Sequence, residues 1–157
     1  MNKHALLHKS KSEMAYAYDQ DTLHIWLRTA KDDFFSVKLV YGDPFRYEPI
    51  DEAQTKWVWK HENANDLTMD KRFSDNEFDY YFLAIKPEHK RIKYAFILDD
   101  LYLYGVRELY DLSEDIDQKK RYNLFNYFNF PYLNEADIIQ IPMWVKNTVW
   151  YEIFPER

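Results

Sequence analysis

The 157-residue chain has no cysteine. That excludes a disulfide framework and thiolate chemistry, and it suits a reducing cytoplasm, which is the expected location. Glycine occurs only twice, where average usage would give roughly eleven. So few glycines argue against phosphate-cradling loops, whose backbone conformations glycine normally supplies. No apolar run approaches the ~18 residues of a membrane span, and residues 1–12 lack the apolar stretch of a secretory signal. Positive charge is in deficit, with 21 Lys and Arg against 27 Asp and Glu, a formal net charge of −6. Nucleic acid is therefore a poor partner, because binding it rests on a basic footprint.

Catalytic constellations are scarce as well. No Ser-His-Asp or nucleophile-elbow pattern is present. Five histidines, His4, His8, His24, His61 and His89, have no His-x-x-x-His spacing on an evident helix. On a strand His4 and His8 would stand about 13 Å apart, too far to share an ion, so these histidines read as solvated or hydrogen-bonded. The carboxylate pairs Asp32-Asp33, Asp51-Glu52, Asp99-Asp100 and Glu114-Asp115 are neighbours at turns. Acid/base hydrolysis needs two carboxyl groups held across a cleft in different surroundings, so these pairs read as solvated turn residues.

What the chain has in quantity is aromatic rings: 14 Tyr, 11 Phe and 5 Trp, 19% of all residues. The hydropathy pattern has period two, not 3.6. Leu23, Ile25 and Leu27 alternate with His24, Trp26 and Arg28, and Val37, Leu39 and Tyr41 share a face. Ile92, Tyr94, Phe96 and Leu98 alternate with Lys93, Ala95 and Ile97, while 78–85 is aromatic on both faces. Strands are also expected at 5–8, 15–18, 56–60 and 101–106. Short strands rich in β-branched and aromatic residues, parted by polar turns at spacings of about ten residues, predict an all-β fold with about seven or eight antiparallel strands in two packed sheets. Residues 111–121 are charged and read as a loop or marginal helix, 123–133 as an edge strand or extended segment, and 135–144 as a connector. Most rings should fill the space between sheets. Those pointing outward offer flat faces to a sugar or a protein, and composition does not choose between the two.

Three stretches carry a resemblance. The first is YAYD at 16–19 with TLHIWLRTAKDD at 22–33, and the second is VYGDPF at 40–45. The third runs from YFNFPY at 127–132 through Ala136 and Asp137 to WVKNTVWYEIFPER at 144–157. Together they closely resemble the N-terminal region of the neopullulanase, cyclomaltodextrinase and maltogenic amylase group of the α-amylase superfamily. The resemblance implies an immunoglobulin-like β-sandwich at 1–122, starch-binding-like in class, an aromatic segment and linker at 123–147, and at 148–157 the first strand of a (β/α)₈ barrel. The barrel's Asp nucleophile, Glu acid/base and third Asp, and the family's calcium-binding segment, match nothing in these 157 residues, so the resemblance implies no catalytic residue, metal or cofactor here. It implies a retaining α-glucan hydrolase for the whole protein, acting on cyclodextrins, pullulan or maltooligosaccharides. It further implies a homodimer in which this domain packs over the partner's barrel and narrows its cleft. The loop that would reach that cleft is GDPYxW in the family. Here it reads Gly42-Asp43-Pro44-Phe45-Arg46-Tyr47, which makes Phe45 and Tyr47 the candidate substrate-binding residues. Two other readings stay open: an autonomous starch- or cyclodextrin-binding module, and a purely structural interaction domain. The apolar tail from Thr148 is expected, where ordered, to lie along a sandwich edge of its own or a neighbouring chain rather than stand in water.

Overall fold

The alternation of β2 (Leu23–Ala30) sets the plan of the molecule: Leu23, Ile25, Leu27 and Thr29 are buried while the residues between them reach the surface. The computed structural model describes residues 1–49, 51–55, 57–59, 61–115 and 118–153. Its other strands are β1 (Ala15–Ala17), β3 (Val37–Gly42), β4 (Tyr47–Pro49), β5 (Trp57–Trp59), β6 (Asn65–Thr68), β7 (Asp70–Ser74), β8 (Phe78–Ile85), β9 (Ile92–Leu98), β10 (Tyr102–Tyr104), β11 (Leu109–Asp111) and β12 (Phe128–Phe130). One sheet runs β1-β2-β8-β7 and the other β11-β10-β9-β3-β6, while β4 and β5 form a separate ribbon. All named pairings are antiparallel. The all-β immunoglobulin-like sandwich is the fold found.

The main core lies between the sheets, with Ile25, Leu27, Val37, Leu39, Tyr94, Phe96, Leu98 and Phe130 almost wholly buried. A second cluster covers the outer face of the larger sheet, where Val40, Ala95, Ile97 and Leu103 are capped by Trp59, Leu124 and Tyr127. β9 is therefore buried on both faces. Its edges are filled too, by β3 on one side and by β10 and β12 end to end on the other.

The left-handed turn positions are built without glycine. Positive φ falls on Lys11, Asp32, Gln54, Lys90, Asp99, Asp100 and Gln118, and on no glycine. Asp99 and Asp100 both carry it, as a type I′ turn requires, and Leu101 N–H closes the turn on Leu98 O at 3.0 Å. Asp99 Oδ1 also accepts from Phe35 N and Ser36 N at 2.9 and 2.8 Å, and Lys38 Nζ holds Asp100 at 2.7 Å. The two glycines serve close approach instead. A Cβ on Gly105 would stand 2.1 Å from Asn126 O.

Several sequence expectations need correction. Residues 5–8 form no strand: Lys3–Ala5 is a 3-10 turn capped by Asn2, and only Leu7 bridges to Arg28. At 101–106 the strand is shorter, Tyr102–Tyr104, because the chain turns at Gly105, whose N–H bonds Glu108 O at 3.1 Å. At 56–60 the strand is Trp57–Trp59, and Lys56 and Lys60 lie outside the described residues, as do Ile116 and Asp117 of the 111–121 segment. The expected edge strand in 123–133 is β12. Residues 148–153 pair with no strand among the described residues, and Val149, Tyr151 and Ile153 stand more than three-quarters exposed. The Trp150 ring meets that of Trp144, at 5.6 Å between ring centroids. The described part of the tail thus lies along no sheet edge of its own chain, and 154–157 fall outside the described residues.

Among the buried polar residues, two ionisable ones stand out, Asp79 and His8. Asp79 accepts from Lys71 Nζ (2.6 Å), Ser74 Oγ (2.5 Å) and Asp32 N (2.9 Å). His8 lies between the sheets, edge-on to Phe96 and Phe128. Its Nδ1 is 2.6 Å from Trp26 O and its Nε2 is 2.8 Å from the Tyr94 hydroxyl. A carbonyl can only accept, so Nδ1 carries the proton and Nε2 accepts from Tyr94. Burial drives the His8 pKa down to about 4, against a smaller upward pull from the Trp26 carbonyl.

This arrangement predicts an acid-sensitive window. The unfolded chain binds a proton at His8 near its ordinary 6.5 and the folded chain only near 4. Stability is therefore full above about 6.5 and falls by roughly 3 kcal/mol as the pH drops toward 4. His24, whose pKa burial also lowers, adds in the same direction. Asp79 starts to contribute only below its ordinary 3.8. Urea unfolding of His8→Gln should show a less stable protein whose stability is much flatter across this window.

Candidate functional site

The 42–47 turn begins where β3 ends, and its first residue cannot carry a side chain. A Cβ on Gly42 would lie 2.3 Å from Trp59 Cζ2 and 2.7 Å from Asn63 O. The buried Trp59 ring therefore packs directly on the Gly42 backbone, and its Nε1 donates to Asp43 O at 2.9 Å. The Asp43 side chain then fixes the turn from within. Its Oδ1 accepts Phe45 N at 3.0 Å, and the Arg91 guanidinium forks onto both oxygens, Nε to Oδ1 at 2.9 Å and Nη2 to Oδ2 at 3.1 Å. Such a planar fork holds a carboxylate in direction as well as distance. Burial pushes Asp43 up, but Arg91, the Phe45 amide and His89 nearby outweigh it and hold the carboxyl below its usual range.

The same Arg91 lies against the Phe45 ring, 4.6 Å from its centroid. Phe45 is nonetheless 72% exposed, so the cation backs one side of the ring and water meets the rest. Tyr47, 42% exposed, opens β4 opposite Trp59. Arg46 between them points to Glu88, at 2.9 Å, and its carbonyl accepts from Asn63 Nδ2 at the same distance. The structure thus brings both sequence-predicted rings, Phe45 and Tyr47, to the surface on one braced turn. It adds a third ring that sequence reasoning missed as a site residue. Trp57, opposite Pro49 in the β4–β5 ribbon, is 53% exposed with its Nε1 donating to Gln54 O at 3.1 Å. The sequence carried no signal for it: positions 57 and 59 share one face of a strand, so alternation predicts equal burial, whereas only Trp59 is covered.

This arrangement presents rings on a turn whose carboxylates are already paired, with His89 Nε2 3.7 Å from Asp43. Asp43 is committed to Arg91, and Glu88 to Arg46 with His89 at 3.9 Å. Among the described residues no group of three or more His, Cys, Asp or Glu side chains is gathered closely enough to hold a metal ion. His24 Nδ1 lies 3.1 Å from the Tyr16 hydroxyl and stacks on Tyr18, while the His61 side chain is outside the described set.

The profile of the family described as "Alpha amylase, N-terminal ig-like domain" matches residues 1–134. The chain belongs to that family. Relatives of this Ig-like domain include a maltogenic alpha-amylase of Bacillus acidopullulyticus, 39% identical over the whole chain and a quarter of the relative (25%). A cyclomaltodextrinase of Geobacillus thermopakistaniensis (strain MAS1) is also 39% identical, over the whole chain and 24% of its own length. The intracellular maltogenic amylase of Bacillus subtilis (strain 168) is 36% identical over 98% of the chain and 24% of the relative. The chain therefore spans about a quarter of the length of these relatives. A solved cyclomaltodextrinase matches with a TM-score of 0.73 and 29% identity, over 98% of the chain and 24% of that structure. Among the described residues no helix is long and apolar enough to cross a membrane.

The bracing of the Ig-like domain's turn makes a prediction. Arg91→Ala should leave the sandwich folded, lower its melting temperature by about 2–4 °C, and speed tryptic cleavage after Arg46. Arg91→Lys should restore the charge but not the fork, and protect Arg46 only in part.

Proposed function

We propose that this domain is the non-catalytic N-terminal module of an α-glucan hydrolase that cleaves α-1,4 bonds of cyclodextrins, pullulan or maltooligosaccharides. The relatives' names support the substrate class. In this reading the module packs over the barrel of a partner subunit in a homodimer. Phe45 and Tyr47 enter the partner's cleft and narrow it in favour of small, curved substrates. The observation that carries the reading is the Phe45 ring held out in water by its own clamped turn. Leaving so large an apolar face exposed is costly unless something meets it. The retaining carboxylate pair, with its spacing of about 5 Å, would belong to the barrel, as would any calcium. The enzyme would work in the cytoplasm, in keeping with a cysteine-free chain and with a relative named intracellular.

The test is a Phe45→Ala/Tyr47→Ala variant of the enzyme that carries this domain. Its kcat/KM for β-cyclodextrin should fall about tenfold while that for soluble starch holds or rises, and sedimentation should show the wild type as a dimer. Equal kinetics on both substrates would sink the gating role. Tight binding of β-cyclodextrin to the 157-residue chain alone, abolished by the same two substitutions, would instead assign an autonomous binding module.

A further inference from the structure

At the end of the sandwich opposite the 42–47 turn, a phenylalanine stands entirely in water. Phe35 is 100% exposed, although the chain on either side of it is fixed. Phe34 is buried, and its carbonyl accepts from the Tyr81 hydroxyl at 3.1 Å. Ser36 exchanges two bonds with Asp99: its N–H donates to Oδ1 at 2.8 Å, and its carbonyl accepts from Asp99 N at 2.9 Å. Phe35 N donates to the same Oδ1 at 2.9 Å. The ring therefore projects from a rigid base, and leaving it in water is costly unless something meets it.

Beside this knob lies a hollow of about 330 Å³, whose apolar lining comes from Phe34, Val37, Met69 and Tyr81. Asp32 and Lys71 also line it, with Lys71 Nζ 3.6 Å from Asp32 Oδ1 and 2.6 Å from the buried Asp79. A second pair, Lys38 with Asp100 at 2.7 Å, stands at the same end of the sandwich. A projecting ring and a hollow that takes a ring thus adjoin on one patch, edged by charges of both signs. Nothing at the other pole competes for it. β3 puts about 17 Å between this patch and the 42–47 turn. The segment that follows β12 is fastened at that far end too, where Leu133 N donates to Lys90 O at 2.7 Å.

We propose that the Phe35 patch is an interface between two copies of this chain, made by each copy setting its Phe35 ring into the other's hollow. A contact about a two-fold axis joins the same patch on both subunits, so the patch must be complementary to itself. This one is, in shape and in charge. Its knob and its hollow lie side by side, and its rim carries Lys38 and Lys71 with Asp32 and Asp100. The two-fold therefore lets each cation face an acid of the other copy. Because knob and hollow share one patch, the pairing closes at two copies and leaves no free end to propagate. The interface is independent of the function proposed above, whose homodimer uses the opposite pole and a barrel that these 157 residues do not include.

Sedimentation equilibrium and NMR of the 157-residue chain test this interface. The chain should dimerise weakly, with a Kd on the order of 100 μM, as suits a small contact. Phe35→Ala should weaken the dimer about tenfold or more. A fully exposed ring packs on nothing in its own chain, so that variant should keep the wild-type circular dichroism and melting temperature. Trp144→Ala/Trp150→Ala, which alters the exposed tail, should dimerise like the wild type. In a mixture of labelled and unlabelled chains, isotope-filtered NOEs should join the Phe35 ring of one copy to the Met69 methyl of the other. A chain that stays monomeric at millimolar concentration would overturn the proposal. So would a dimer that survives Phe35→Ala undiminished, or one lost on changing the two tail tryptophans. NOEs from Phe35 to Met69 within one chain alone would overturn it as well, since the ring would then fill its own hollow.

Discussion

β9 is the member on which the rest of this domain depends. It is buried on both faces and bonded along both edges, so its neighbours are placed by it and not by one another. Tyr94 and Phe96 reach into the space between the sheets, and Ala95 and Ile97 into the outer cluster. A strand in that position must be apolar on both sides, and it is, apart from Lys93, whose ammonium escapes by donating to Leu124 O at 2.9 Å. The strand also sets the 42–47 turn. β3 lies along β9, and Arg91, one residue before β9, is the group that holds Asp43 and backs Phe45. The core and the exposed ring are thus parts of one continuous strut.

His8 ties the sheets together in a different way. It bonds Trp26 of one sheet through the backbone and Tyr94 of the other through a side chain. An apolar residue would fill the space but would leave the Tyr94 hydroxyl without its acceptor in a dry interior, where an unpaired polar group is expensive. The pair therefore specifies how the sheets register against each other, which packing alone does loosely.

Much of this was legible in the sequence where strands carry an apolar stripe or run. β2 and β3 announce themselves by alternation, β8 and β9 by apolar or aromatic residues on both faces, and the GDPFRY stretch marks the turn. The strands that went unread are those without a buried stripe. β6 and β7 expose every residue, so Asn-Asp-Leu-Thr and Asp-Lys-Arg-Phe-Ser carry no periodic signal. They are strands because their neighbours offer a hydrogen-bonding edge, which is tertiary information. The N-terminal segment misled for the opposite reason. Ala5 and His8 are buried, but they follow a capped turn and not a pleat. At the candidate site the two rings were found from their motif. The arginine that holds them was not, because it lies 46 residues from Phe45 in sequence and its role exists only after folding.

The near absence of glycine has a mechanical meaning. A loop that reaches a left-handed backbone through glycine is permitted to be there and is also free to leave. Here Asp99 and Asp100 reach it, and they are kept there by bonds to Phe35, Ser36 and Lys38. Such conformations cost about 1–3 kcal/mol each for an ordinary residue, so they persist only where the surroundings over-determine them. Chains with bulkier turn residues also lose less entropy on folding. The result is a bracket rather than a set of hinges, whose projecting rings would meet a ligand or a subunit as fixed surfaces. Recognition by such a part resembles a key already cut, with affinity gained from not having to move.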